Sequence, residues 1–86
     1  MKNIFVGNLD FEATETELRS LFEPYGAIKR ISIVRHRDSG QSKGFGFVEM
    51  RMDADGDRAI TQLNGKETSG RALDVHAARE RIHQGK

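Results

Sequence analysis

The chain is predicted to fold as an α+β domain of order β-α-β-β-α-β, a four-stranded antiparallel sheet with two helices on one face. Three observations predict it. Two stretches with helical periodicity alternate with four runs enriched in Ile, Val and Phe, and turn-forming residues separate them. The two helix–strand units, joined in sequence, place their helices on the same side when each crossover is right-handed. Finally, 86 residues suffice for one domain of two layers and no more.

Each element has its own signals. Asn3–Leu9 forms a first strand, ended by the turn-formers Asn8 and Asp10. Thr14 opens the first helix: Thr14 and Glu17 have capping-box spacing, so each side chain can satisfy the other's backbone N–H. Leu18, Leu21, Phe22 and Tyr25 make its buried stripe, and Pro24 and Gly26 stop it, with Gly26 expected in a left-handed cap. Residues 28–35 form the second strand. Asp38-Ser39-Gly40 supplies the turn in a basic connection to the third strand, residues 44–50. A second helix starts at Asp53 or Asp55, buries Ala59, Ile60 and Leu63, and ends at Asn64-Gly65. Residues 71–77 alternate around Leu73 and Val75 as the fourth strand. The expected domain spans residues 1–78, followed by a basic tail at 79–86. This is the ferredoxin-like sandwich, with strand order 4-1-3-2 and one sheet face open to solvent.

Strand three decides which side chains lie on that open face. Lys43, Phe45, Phe47, Glu49 and Arg51 alternate with Gly44, Gly46, Val48 and Met50. Burying Lys43, Glu49 and Arg51 unpaired would cost several kcal/mol, so their face is the solvent side and both phenylalanines are displayed. The same alternation turns Ile4 and Val6 toward the helices and Phe5 outward. Three displayed rings on adjacent strands, with cations nearby, suit stacking on nucleobases and pairing with phosphates.

Charge is segregated although the formal net value is only +1. Residues 10–27 carry Asp10, Glu12, Glu15, Glu17 and Glu23 against Arg19 alone. Residues 29–43 carry Lys29, Arg30, Arg35, Arg37 and Lys43 against Asp38 alone. The acidic blocks fall on the helices, and the basic ones on strand two, its loop, strand four and the tail. Negative charge is therefore expected mainly on the helical face and positive charge around the open one.

With these residues in view, the chain resembles the RNA recognition motif family. Lys43-Gly44-Phe45-Gly46-Phe47-Val48-Glu49-Met50 matches seven of eight positions of its octapeptide, K/R-G-F/Y-G/A-F-V-x-F/Y. Ile4-Phe5-Val6-Gly7-Asn8-Leu9 resembles the companion hexapeptide, and the likeness runs from about Asn3 to Ala78. Its nearest resemblance is to short, free-standing bacterial-type members. The resemblance implies that Phe5 and Phe47 stack on neighbouring bases, Phe45 lies against the sugars, and Lys43 pairs with a phosphate. Met50 departs from the motif, but alternation buries it, so the departure concerns the core. Asn3, Arg30, Arg35, Arg37, His76 and Arg79 complete the expected RNA-binding set, and no residue is assigned to catalysis or metal.

Other chemistries fit less well. Asp53-Ala54-Asp55-Gly56-Asp57 hints at a calcium loop, yet its glycine is fourth rather than sixth and Asn64 stands where the closing Glu belongs. The dinucleotide fingerprint is incomplete at residues 44–49. The fold also hosts small hydrolases, but the loop after strand one, Asn8-Leu9-Asp10-Phe11-Glu12, is acidic and would repel phosphate. His36, His76 and His83 are scattered, and no cysteine is present. The expectation is a non-catalytic, monomeric, cytoplasmic protein without cofactor, membrane contact or small-molecule substrate. Its partner is single-stranded RNA, with single-stranded DNA as a related ligand, and its role that of a post-transcriptional regulator or RNA chaperone. The alternative is a protein-interaction module using the same aromatic face.

Overall fold

The computed structural model describes residues 1–68 and 70–78. Its elements run β1 (Lys2–Gly7), α1 (Glu15–Phe22), a 3-10 turn (Glu23–Tyr25), β2 (Ile28–Arg35), β3 (Ser42–Met50), α2 (Asp53–Leu63), β4 (Glu67–Thr68), β5 (Arg71–Ala72) and β6 (Asp74–Ala77). The main sheet has the order β2-β3-β1-β6 with every pair antiparallel, so the two motif-bearing strands occupy its centre. This is the predicted arrangement, with β6 as its fourth strand.

One face of the sheet is sealed. Ile4, Val6, Val48, Met50 and Val75 point from it into the core, where they meet Leu18 and Phe22 of α1 and Ala59 and Leu63 of α2. Met50 is fully buried, as the alternation requires. The capping box of α1 is present: Glu17 N–H donates to Thr14 Oγ1 at 3.3 Å, and Thr14 N–H donates to Glu17 Oε1 at 3.0 Å. The helix α2 begins at Asp53, and its N-cap, Met52, makes no side-chain bond. At its far end Asn64 Oδ1 accepts the Val75 N–H at 3.0 Å and ties the helix terminus to β6.

Three expectations are corrected. Strand one ends at Gly7, because Asn8 turns left-handed with φ 59°, which lets Leu9 bury after the strand has finished. Gly26 is positive in φ (152°), but its ψ of −173° is extended, so it leaves the 3-10 turn rather than forming a left-handed cap. The start of α2 falls at Asp53, the first of the two expected positions. The fourth strand is divided: Arg71–Ala72 pairs with Glu67–Thr68 in a small hairpin, and only Asp74–Ala77 joins β1. Between them Leu73 is buried and keeps its backbone bonded to Lys66 and Gly65 instead of the main sheet. The tail at 79–86 lies outside the described residues.

Candidate nucleic-acid interface

The open face is built by register. Phe5 lies opposite Phe47 on one side and His76 on the other, and directly opposed residues share a face. Ring centroids separate by 5.8 Å for Phe5–Phe47, 5.7 Å for Phe5–Phe45 and 6.2 Å for Phe45–Phe47, the last pair edge to face. The His76 imidazole stacks beside Phe5 at 4.9 Å. Such contacts hold the rings in place without covering them, so the platform exists before a ligand arrives. Phe47 is 37% exposed, while Phe5 and Phe45 are half-buried against their neighbours.

Two glycines make the platform possible. A Cβ on Gly7 would lie 2.6 Å from Phe5 Cε2, so the bare backbone is what lets that ring rest on the sheet. A Cβ on Gly46 would run into the Ser32 carbonyl oxygen on β2, so β2 and β3 approach as they do only because that side chain is missing.

Beside the rings lies a trough of about 260 Å³, lined by Asn3, Arg30, Ser32, Phe47, Glu49 and Ala78. Arg30 Nε stands 3.9 Å from Glu49 Oε1 with its side chain largely in solvent, a contact too loose to hold the guanidinium against a better anion. The Ala78 N–H donates to the Asn3 carbonyl at 2.9 Å, which continues the β1 edge past β6.

The predicted set therefore divides. Phe5, Phe45, Phe47 and His76 come together, with Asn3 and Arg30 at one end and Lys43 at the other. Arg35 does not join them: it pairs with Ser42, a buried residue, after a register shift that leaves the extra residues on β3, and its Nη2 donates to Glu15 Oε1 at 3.3 Å. It serves the helical layer. Arg37 is exposed in the β2–β3 loop, whose turn closes through the His36 and Gly40 amides. Arg79 lies outside the described residues. Three residues beside the platform escaped sequence reading. Ser32 sits opposite Phe47, Phe11 is 61% exposed in the β1–α1 loop, and the Arg71 guanidinium lies 5.6 Å from the Phe11 ring centre. The one available signal was Phe11, an aromatic in a polar loop and off the apolar stripe of α1.

The acidic start of α2 has partners of its own. Asp53 bonds the N-terminal ammonium at 3.0 Å, Asp57 bonds Lys2 Nζ at 2.9 Å, and Asp55 reaches Arg58 at 3.2 Å. The hydrogen bond to Asp57 raises the Lys2 pKa, and the bond from the N-terminus lowers that of Asp53. These carboxylates are satisfied by cations of the chain, as a helix start favours, and do not converge on one point.

Comparisons with known proteins agree with this geometry. The family model described as "RNA recognition motif" matches residues 4–74. A putative RNA-binding protein of Nostoc sp., RbpD, is 47% identical over 78 residues, covering 91% of this chain and 83% of its own. A second Nostoc protein, the putative RNA-binding protein RbpB, is 43% identical over 83 residues, covering 96% and 81%. Among solved structures, the crystal structure of RNA binding protein PG1 superposes with a TM-score of 0.91 at 42% identity, covering 96% of this chain and all of that one. The Sex-lethal protein in its RNA complex superposes at 0.88 with 35% identity, covering 92% of this chain and 47% of that one.

Proposed function

The chain belongs to the RNA recognition motif family, and from that premise we propose that it binds single-stranded RNA by stacking bases on Phe5 and Phe47. The observation that carries this reading is the preformed triad of Phe5, Phe45 and Phe47, with ring centroids within 6.2 Å of one another on the open face. Phe45 packs against the intervening sugars, and Lys43 and Arg30 meet phosphates at the two ends of the platform. His76 extends the flat surface beside Phe5.

The protein acts by binding, not catalysis. Shielding or remodelling a site on a transcript is then its mode of action, which is that of a post-transcriptional regulator or RNA chaperone. It works as a monomer in the cytoplasm, and single-stranded DNA is a weaker or equal ligand according to how much the 2′-hydroxyls contribute.

The test is a fluorescence-anisotropy titration with short randomised single-stranded RNA, comparing wild type with Phe5→Ala/Phe47→Ala. Two lost stacks predict a weakening of about 2–6 kcal/mol in a variant that keeps its circular dichroism. Equal binding by both proteins would refute the stacking platform and assign the rings to a protein partner.

A further inference from the structure

We propose that the RNA track continues off the sheet into a second stacking subsite, where Phe11 of the β1–α1 loop receives an additional base and Arg71 and Lys43 receive its phosphate. This rests on the RNA-binding reading above and extends it to residues outside the two motif strands.

The subsite is continuous with the platform. A groove of about 310 Å³ runs from Phe5 and Phe45, past Lys43 and Gly44, to Phe11 and Arg71. A strand lying across Phe5 and Phe45 that continues past Gly44 therefore meets Phe11 next.

The loop is held where a stacking group is needed. Gly44 takes a φ of 87°, its N–H bonds Ser42 Oγ at 2.9 Å, and its carbonyl accepts the Leu9 N–H at 2.9 Å. That bond fixes the β1–α1 loop over β3 and brings the Phe11 ring to 3.4 Å from where a Gly44 Cβ would stand. Asp10 Oδ1 accepts the Glu12 N–H at 3.0 Å and its carbonyl accepts the Ala13 N–H at 2.9 Å, which holds the loop on both sides of Phe11.

Phe11 makes no contribution to the core and is 61% exposed, so core packing does not account for a phenylalanine here. Arg71 is likewise placed rather than loose. Its Nη1 donates to Asn8 Oδ1 at 3.2 Å while Asn8 Nδ2 donates to the Ala72 carbonyl at 2.8 Å, so Asn8 staples the small hairpin to the end of β1. Among the described residues, neither Arg71 nor Lys43 has a carboxylate within 4.0 Å. The one acid in the groove, Asp74, faces His76 at 3.8 Å. Arg71 also lies 5.6 Å from the Phe11 ring centre, and two cations without a carboxylate partner beside a largely exposed ring fit a nucleotide better than an apolar peptide, which would leave both charges unmatched.

The experiment measures affinity against length, using labelled randomised single-stranded RNAs from dinucleotide to octanucleotide with wild type, Phe11→Ala and Arg71→Gln. Phe11→Ala should match wild type on oligonucleotides short enough to occupy the sheet alone. On longer ones it should fall behind by about 5- to 150-fold, the value of one stacked base. Arg71→Gln should reduce the slope of log affinity against log salt by about 0.7 on the long oligonucleotides only. Thermal melts coinciding with wild type are expected, given the exposure of Phe11. If Phe11→Ala tracks wild type at every length while Phe5→Ala/Phe47→Ala fails to bind, the extended track is wrong and the sheet platform stands. If wild type binds no length, both readings fall together.

Discussion

Gly7→Ala should cost RNA affinity without costing stability, because the residue's purpose in this fold is to leave room for a ring. Its Cβ would stand 2.6 Å and 2.8 Å from Cε2 and Cζ of Phe5. Restoring an ordinary carbon–carbon separation of about 3.5 Å requires the ring to retreat by about 1 Å. Sideways retreat is blocked by Phe45 and Phe47 on one flank and His76 on the other, so the ring must lift or turn away from the plane on which a base would lie. The expected loss is that of the Phe5 stack, about 1–3 kcal/mol. Backbone strain does not contribute, since Gly7 is not among the positive-φ glycines, and the next-nearest atom to the new methyl after the ring is Asp74 Cβ at an ordinary 3.6 Å. Alanine at such a site stabilises by up to about 1 kcal/mol through the unfolded chain, which offsets the displaced ring. Anisotropy titrations on Gly7→Ala, Phe5→Ala and the double variant, with melts alongside, form the cycle. Since both substitutions remove the same stack, the double variant should bind no worse than Phe5→Ala. Full additivity of the two losses, or wild-type affinity in Gly7→Ala, would refute the reasoning.

Gly46→Ala makes the contrasting case, because its Cβ would meet the Ser32 backbone carbonyl rather than a movable ring. Urea denaturation should show a loss of about 1–3 kcal/mol as β2 and β3 are forced apart; wild-type stability would show that the close approach is not a constraint. The Lys2–Asp57 bond predicts an alkaline limb. The Lys2 pKa is raised in the folded state above its ordinary 10.5, so the pair's stabilisation is fully present below that value and lost as pH rises through the folded pKa. The gap in melting temperature between wild type and Lys2→Met should stay constant through neutral pH and close above about pH 10.5. A gap that persists into strong alkali would assign the effect to the lysine's aliphatic stem instead.

The central strands and α1 were legible because each carries redundant signals. On β3, the charges of Lys43 and Glu49, the glycine at 46 and the alternation with Val48 and Met50 all require one orientation. The division of the fourth strand was not legible, since residues 71–77 alternate without a break. What separates Arg71–Ala72 from Asp74–Ala77 is a three-dimensional preference, the hairpin closed near Gly70 at φ 77° and the Leu73 backbone bonds to Gly65 and Lys66, which follow α2. Arg35 shows the opposite failure. Its sign suggested the RNA face, yet the alternation from Ile31 through Ile33 already pointed it toward α1, where Glu15 receives it. Position on the pleat outweighed sign. Phe11 and Arg71 lie in a loop and a two-residue strand, where no period exists to say which way a side chain faces.

The open face is less basic than the charge blocks suggest, and this bears on how the protein binds. Arg35 is committed to the helical layer, Arg30 has Glu49 beside it, and Asp74 shares the groove with Lys43 and Arg71. Attraction at a distance is therefore weak for a chain of net charge +1. On the function proposed above, most of the affinity comes from contact, in which every base offers a π-face to Phe5, Phe47 and Phe11. Stacking discriminates poorly among bases, and Lys and Arg at phosphates do not discriminate at all. Any preference for sequence then falls to the few polar groups that can reach a base edge beside the rings: Asn3, Ser32 and Glu49 along one trough, His76 and Asp74 along β6. A ligand seated by rings and read by so few groups is held with modest selectivity, and the function proposed above is therefore binding to exposed single-stranded stretches with little regard to their sequence.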